Sequence, residues 1–255
     1  MPADDSITNP CASCKQCPCP GQYTAQIEGL GPIPSYTGGF PSPLPLMWYV
    51  PEDVEEAFTV YFPPSTIRGW IRQAADYHGV PYVLTAVILQ QENAPEAPRW
   101  KQVGQFAERS LTTLAAIVDE ALGDIVPDKI SGGSSGIANI SRATLRDAAN
   151  YIERTYCRTV LPEDVRRRLL GWSQDTRIQG DDLKSDLYYM TAHLRQLIDR
   201  VMGQPCYNGP LTLEQVKKVA AAYNGSGPLA VKYGEDALRR LQRAAAGQTP
   251  LYFYE

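Results

Sequence analysis

The chain has 255 residues, of which 44% are hydrophobic and 20% are charged, and its formal net charge at pH 7 is −4. This length allows one compact domain with an appendage, and the hydrophobic content excludes a wholly disordered chain. The 24 Lys and Arg residues do not exceed the 28 Asp and Glu residues, so we expect no nucleic-acid binding. No apolar run reaches the roughly 18 residues that a membrane span needs.

The first 63 residues form a region rich in Pro, Gly and Cys. Its start is acidic and no apolar segment follows, so we expect no Sec-type signal peptide and synthesis in the cytoplasm. The Pro-rich runs at 31–34 and 41–45 disfavour long helices. We therefore predict that 1–63 is an arm laid partly over the main domain, or a docking segment, and that the main domain spans 64–255.

Four of the six cysteines crowd into this arm. C-x2-C spacing can hold zinc, but four sulfurs this close together leave little chain to surround a tetrahedral metal ion. A metal site, disulfides and reduced thiols therefore all remain open for the arm. We expect no cofactor and no metal in the main domain. The cysteines of the arm are Cys11, Cys14, Cys17 and Cys19, and the other two, Cys157 and Cys206, could pair if the fold brings them together.

Beyond residue 63, the hydrophobic pattern has the period of helices. The first helix stops at Gly79 and Pro81, and the second, 80–92, is apolar on nearly every face, which predicts a central buried helix. The stretch 128–139 could hold at most a short hairpin. Capping patterns at Ser141 and at 212–215 open two later helices. The predicted helices are 67–78, 80–92, 104–123, 141–156, 183–201, 212–223 and 229–246, so the expected fold class is mainly α.

Glu92 is the first candidate catalytic residue. It follows Ile88 by four residues and Leu84 by eight, so it lies on the apolar stripe of the second helix, near that helix's carboxyl end. A carboxyl group held there is partly removed from water, which favours the neutral form that a general acid needs near neutral pH. An exposed glutamate without a role is the alternative.

Two turns of small residues are further candidates for a site. The segment 134–141 contains Gly136 and leads into a capped helix, so its backbone can approach a ligand closely. The segment 221–227 ends a helix whose apolar stripe includes Tyr223, and Asn224-Gly225 provides a left-handed exit. Taken alone, each segment is also explained as an ordinary turn.

In their order and spacing, these segments resemble the soluble lytic transglycosylases and goose-type lysozymes of the lysozyme-like superfamily. The family's first motif is a helix ending in the catalytic glutamate, and Gln90-Gln91-Glu92-Asn93 is similar to it. Its second motif, usually Gly-Leu-Met-Gln-Ile, is matched by 135–140, and its third by Ala222-Tyr223-Asn224-Gly225. The segments 186–197 and 231–234 are also similar to the family. The resemblance covers about 64–246 and implies a lysozyme-like helical domain.

The resemblance implies cleavage of the β-1,4 bond between N-acetylmuramic acid and N-acetylglucosamine in peptidoglycan. Glu92 would be the general acid, Tyr223 would orient it or line the sugar cleft, and Asp128 is a candidate second carboxylate for hydrolysis. Without a second carboxylate, Glu92 would act as acid and then as base and form a 1,6-anhydro product, as in lytic transglycosylases. The residues expected to contact the glycan are Asn93, Ser135, Gly136, Ile137, Asn139 and Asn224.

The chain also departs from the family pattern. Asn93 stands where serine is usual and Asn139 where glutamine is usual, which alters the polar contacts to the glutamate or the sugar. The interval between Glu92 and Ser135 is longer than usual, so the helix near 104–123 is predicted to be an insertion. These departures leave open a lysozyme-like module that binds glycan or protein and has lost catalysis.

Without a signal peptide, an enzyme of this kind needs another route to the cell wall. We expect an antibacterial effector that a secretion apparatus delivers to the periplasm or wall of a target cell, and a phage endolysin or tail lysin is the alternative. The expected partners are peptidoglycan strands and a secretion apparatus or immunity protein, and the chain is expected to be a monomer. Neither histidine suits catalysis: His78 lies at a helix carboxyl end, where a cation is favourable, and His193 lies within a helix.

Overall fold

The computed structural model describes residues 26–39, 64–93, 138, 140–165 and 181–255, together with the backbone of 47–49, 58–60 and 134–135. This part of the chain is mainly helical, so the predicted fold class is confirmed at that level. The helices are α1 (Pro64–His78), α2 (Tyr82–Asn93), α3 (Arg142–Tyr156), α4 (Asp181–Met202), α5 (Leu213–Tyr223) and α6 (Pro228–Ala245). The strands are β1 (Met47–Tyr49), β2 (Phe58–Val60), β3 (Ser134–Ser135) and β4 (Ile140–Ser141).

Helix α2 lies in the hydrophobic core, as its apolar sequence predicts. Leu84, Val87 and Ile88 are all 0% exposed, and the helix contacts both α1 and α6. Helix α4 contacts α1, α3 and α5, and α5 packs along α6. A helix that is apolar on nearly every face is stable only when other elements cover it on several sides, and this arrangement covers α2.

The two predicted helix caps are present. Ser141 is the N-cap of α3, and its Oγ accepts a hydrogen bond from the backbone N–H of Thr144 at 3.2 Å. Thr212 and Gln215 form a capping box at the start of α5, in which each side chain accepts a hydrogen bond from the other residue's backbone N–H. These caps satisfy N–H groups that have no partner within the helix.

The strands form two small antiparallel pairs. In the first, Met47 pairs with Val60; the sequence pattern does not predict this pair. In the second, Ser134 pairs with Ser141 and Ser135 with Ile140. The predicted hairpin at 128–139 therefore ends later than expected, because β4 includes Ile140, which is 5% exposed and belongs to the hydrophobic core.

Arg68 of α1 joins both ends of the described chain to the helices. Its side chain is 1% exposed. Its Nη2 donates a hydrogen bond to the carbonyl oxygen of Gly38 at 2.6 Å, and its Nε donates to that of Tyr252 at 2.8 Å. The described part of the predicted arm, 26–39, therefore contacts the helical domain through a buried, hydrogen-bonded guanidinium group.

A second buried charge, Asp199 of α4, joins α4 to α3. Asp199 is 3% exposed, and its Oδ2 accepts hydrogen bonds from the hydroxyl groups of Tyr151 at 2.7 Å and Tyr156 at 2.6 Å. Its Oδ1 accepts a hydrogen bond from Arg195 at 2.5 Å, and Arg195 also donates to the carbonyl oxygen of Gly79 at 3.1 Å. This network fixes α3, α4 and the turn before α2 relative to one another.

The predicted inserted helix near 104–123 lies outside the described residues. Among the helices that the structure describes, none is long and apolar enough to cross a membrane.

Candidate active site

Glu92 occupies the last turn of α2. It is 9% exposed, so its carboxyl group is largely removed from water. The position follows from the helical period, because Glu92 shares a face with Leu84 and Ile88, which are 0% exposed, and the helix ends at Asn93. A carboxyl group buried in this way requires a polar partner, since an unpaired buried charge is strongly destabilising.

Tyr233 of α6 is such a partner. Its hydroxyl group donates a hydrogen bond to Oε1 of Glu92 at 2.6 Å. Burial, together with the charge of Glu92, raises the pKa of Tyr233 well above 10.0. The phenol therefore stays protonated and remains a donor throughout the neutral and acidic range.

Gly234 allows α6 to approach α5 closely. A Cβ atom at this position would clash with the carbonyl oxygen of Lys217 and would lie 3.0 Å from the Cβ of Ala221. On the other side, the Nε2 of Gln91 donates a hydrogen bond to the carbonyl oxygen of Tyr233 at 3.2 Å. These two contacts hold the backbone around Tyr233 and thereby fix where its phenol meets Glu92.

Tyr223, the last residue of α5, holds the loop between β3 and β4. Its hydroxyl group donates a hydrogen bond to the carbonyl oxygen of Ala138 at 2.5 Å, and Ala138 is 2% exposed. An electrostatic effect of Tyr223 also raises the pKa of Tyr233, so the two phenol groups lie near each other. Tyr233 therefore joins α6 to the end of α2, and Tyr223 joins the end of α5 to the β3–β4 loop at Ala138.

His193 of α4 packs behind Tyr223. Their ring centroids are 5.6 Å apart, and Nδ1 of His193 lies 3.3 Å from Oε1 of Gln196. Burial lowers the pKa of His193, so its ring is neutral near pH 7. The His193 ring therefore packs against Tyr223 without adding a charge there.

Two of the predicted glycan-contacting residues serve helix ends in the structure. The Nδ2 of Asn93 donates a hydrogen bond to the carbonyl oxygen of Leu89 in its own helix at 2.8 Å. Asn224 is exposed, and its backbone N–H bonds to the carbonyl oxygen of Ala221 at 3.1 Å. The left-handed turn that follows belongs to Gly225, with φ +104°.

The remaining predicted site residues are described only in part. The backbone of Ser135 pairs with Ile140 next to the loop that Tyr223 holds. The other predicted residues, Gly136, Ile137, Asn139 and the candidate second carboxylate Asp128, lie outside the described residues.

The role of Tyr233 is not among the features predicted from the sequence. Its position nevertheless carries a pattern that could have revealed it. Ala230, Tyr233, Ala237, Leu241 and Ala244 recur at intervals of three or four residues, and the other four members of this stripe are at most 3% exposed. A tyrosine on a buried face of small residues needs a partner for its hydroxyl group, and such a partner indicates a polar site in the core.

The expectation of a favourable cation at His78 is wrong. His78 is 0% exposed, and its Nε2 lies 3.1 Å from the carbonyl oxygen of Val160. Burial, with smaller effects that include the charge of Arg158, lowers the pKa of His78 to about 3. Desolvation therefore exceeds the attraction of the helix carboxyl end, and the ring is neutral.

Cys157 and Cys206 are both disulfide-bonded. Both have positive φ, 50° and 59° respectively, and Cys157 is the C-cap of α3. The four cysteines of the arm lie outside the described residues. Within the part of the chain that is described, no group of three or more His, Cys, Asp and Glu side chains could hold a metal ion.

Comparison with known proteins assigns no family to this arrangement. No protein-family model matches the chain, and no curated protein and no solved structure matches it significantly.

Proposed function

We propose that this protein cleaves the β-1,4 bond between N-acetylmuramic acid and N-acetylglucosamine in peptidoglycan, with Glu92 as general acid and base. The observation that carries the proposal is the pair of Glu92, 9% exposed at the end of a core helix, and the hydroxyl group of Tyr233, 2.6 Å from its Oε1. The resemblance of the three motifs to lytic transglycosylases and goose-type lysozymes supports the same conclusion and implies a lysozyme-like fold.

The chemistry requires Glu92 to exist in two protonation states during one cycle. The neutral acid protonates the glycosidic oxygen while the bond between that oxygen and the anomeric carbon of N-acetylmuramic acid breaks. Burial favours this neutral form because it withholds water from the charge, and the Tyr233 hydroxyl group stabilises the carboxylate that remains after proton transfer.

The second half of the reaction can proceed in two ways. In hydrolysis, a second carboxylate such as Asp128 would act as nucleophile or activate water, and the product would carry a reducing end. In transglycosylation, the Glu92 carboxylate would take the proton of the 6-hydroxyl group of N-acetylmuramic acid. The O6 atom would then bond to the anomeric carbon of the same sugar and form a 1,6-anhydro ring. Both routes use the same proton donor.

Tyr223 has a supporting part in this proposal. By bonding to the carbonyl oxygen of Ala138 at 2.5 Å, it holds the β3–β4 loop at the end of α5. The backbone of that loop, with Gly136, Ile137 and Asn139, would contact the glycan. Asn93 and Asn224 would act through the helix ends that they stabilise.

We further propose that the protein acts in the periplasm or cell wall of a target bacterium, as a delivered antibacterial effector. The disulfide-bonded state of Cys157 and Cys206 supports an oxidising destination, since disulfides persist outside the reducing cytoplasm. A phage lysin would meet a similar environment. Production in a bacterial host tests the destination: export to the periplasm should lyse the cells, and retention in the cytoplasm should not.

The activity is tested by the loss of turbidity of purified peptidoglycan. Wild-type protein should clear the suspension, Glu92→Gln should not, and Glu235→Gln, which changes an exposed glutamate of α6, should behave as wild type. Pelleting with sacculi separates the alternative: a protein that sediments with them but never clears them is a binding module without catalysis.

A further inference from the structure

A cleft lined by polar and charged residues lies between α3 and α4, and none of these residues contacts Glu92 or Tyr233 in the described part of the chain. Its volume is about 290 Å³. The lining residues are Asp147, Asn150, Tyr151, Arg154 and Thr155 of α3 and Gln196 of α4.

The cleft presents two opposite charges. Asp147 and Arg154 are both exposed, and neither forms a hydrogen bond or an ion pair with any residue in the described part of the chain. They are seven residues apart, and at 1.5 Å per residue their backbones are about 10 Å apart along the helix. The two charges are therefore too far apart to pair with each other easily, while the amide of Asn150 lies between them on the same face.

Two residues of the cleft, Tyr151 and Gln196, are held by polar contacts with α4, and Gln196 connects the cleft to Tyr223 through His193. The Tyr151 hydroxyl group bonds to the buried Asp199 at 2.7 Å. Gln196 contacts His193 at 3.3 Å, and His193 packs against Tyr223, whose ring centroid is 5.6 Å away. A chain of side chains in contact thus connects the cleft to Tyr223 at the end of α5.

We propose that this cleft binds the stem peptide of peptidoglycan, an inference that rests on the proposed function. An extended peptide of about three residues spans about 10 Å at 3.3–3.6 Å per residue. Arg154 would bind a carboxylate of the peptide in a bidentate manner, and Asp147 would bind an ammonium group. The amides of Asn150 and Gln196 would bond to the peptide backbone between them. A substrate that carries peptides would thus bind both at the candidate active site and in the cleft, whereas glycan without peptides would bind only at the candidate active site.

Kinetics on two substrates test this proposal. Sacculi with intact peptides are compared with glycan strands from which an amidase has removed the peptides. We expect the double variant Asp147→Asn/Arg154→Gln to raise KM five- to tenfold on the peptide-bearing substrate, with unchanged kcat, and to leave stripped strands unaffected. The control Arg146→Gln/Glu153→Gln, which makes the same chemical changes on another face of α3, should match wild type on both. An equal effect of the cleft variant on both substrates, or no effect, overturns the proposal.

A binding measurement separates this proposal from the proposed function. The free stem tetrapeptide, released by the amidase, is titrated into Glu92→Gln protein by calorimetry. Saturable binding that is at least fivefold weaker when Asp147→Asn/Arg154→Gln is added, and is retained in the control background, supports the cleft even if the wild type proves to have no cleavage activity. Absence of binding, or equal binding in all three proteins, overturns it even if the wild type cleaves glycan.

Discussion

Substitution of Tyr233 by phenylalanine tests the pairing of the candidate catalytic carboxyl group with the phenol. The substitution removes the hydrogen bond of 2.6 Å to Oε1 of Glu92 and keeps the aromatic ring. A hydrogen bond to a charged group contributes about 1.5–3 kcal/mol, and each 1.4 kcal/mol corresponds to a factor of ten in rate. Because the bond stabilises the carboxylate formed on proton transfer, we expect kcat to fall about 10- to 100-fold while KM changes little.

The assay is the release of soluble muropeptides from sacculi, measured as initial rates over a range of substrate concentrations. Tyr207→Phe is the matched control, since it removes a phenol hydrogen bond of 2.7 Å to the exposed carbonyl oxygen of Pro210; it should retain wild-type kinetics. Thermal unfolding confirms that both variants are folded. If Tyr233→Phe keeps kcat within twofold of wild type, the phenol does not act on the reacting carboxyl group and this reasoning is refuted.

Three further predictions concern the framework of the site. The pKa of His78 is about 3 in the folded state and 6.5 in the unfolded state, so the unfolded state takes up the proton first as the pH falls. Below pH 6.5, His78 should therefore lower the free energy of unfolding by about 1.4 kcal/mol per pH unit. Denaturant titrations at pH 7 and pH 5 should show a smaller loss of stability in His78→Phe than in the wild type. Gly234→Ala should lower the free energy of unfolding by about 1–3 kcal/mol, because the added methyl group clashes with the carbonyl oxygen of Lys217, and it should also reduce activity. An unchanged free energy of unfolding would contradict the close packing of α5 against α6. Asp199→Asn leaves Arg195, 1% exposed, without its charge partner and should cost about 3–5 kcal/mol in urea unfolding, whereas a loss below 1 kcal/mol would contradict the network.

Local patterns in the sequence predict the helices and the first member of the site. The period of apolar residues places Glu92 on the buried face of α2, and the capping residues Ser141 and Thr212 begin α3 and α5 as expected. These features depend on residues within one or two helical turns of each other, so a single sequence contains the information.

Contacts between residues that are far apart in the sequence could not be predicted from a single sequence. Glu92 and Tyr233 are separated by 141 positions, and no spacing rule relates them. The local sequence also gives no sign that Arg68 is buried and donates hydrogen bonds to the carbonyl oxygens of Gly38 and Tyr252. His78 shows the same limit in its electrostatics: the helix end favours a cation, but complete burial, which depends on packing by distant segments, decides its charge.

Mass spectrometry of the products released from purified sacculi tests the central claim most directly. Glu92 as proton donor predicts that wild-type protein releases disaccharide peptides with either reducing or 1,6-anhydro muramic acid ends, and that folded Glu92→Gln protein releases none. Muropeptides from Glu92→Gln at the wild-type rate, or no glycan cleavage by the wild type, would contradict it.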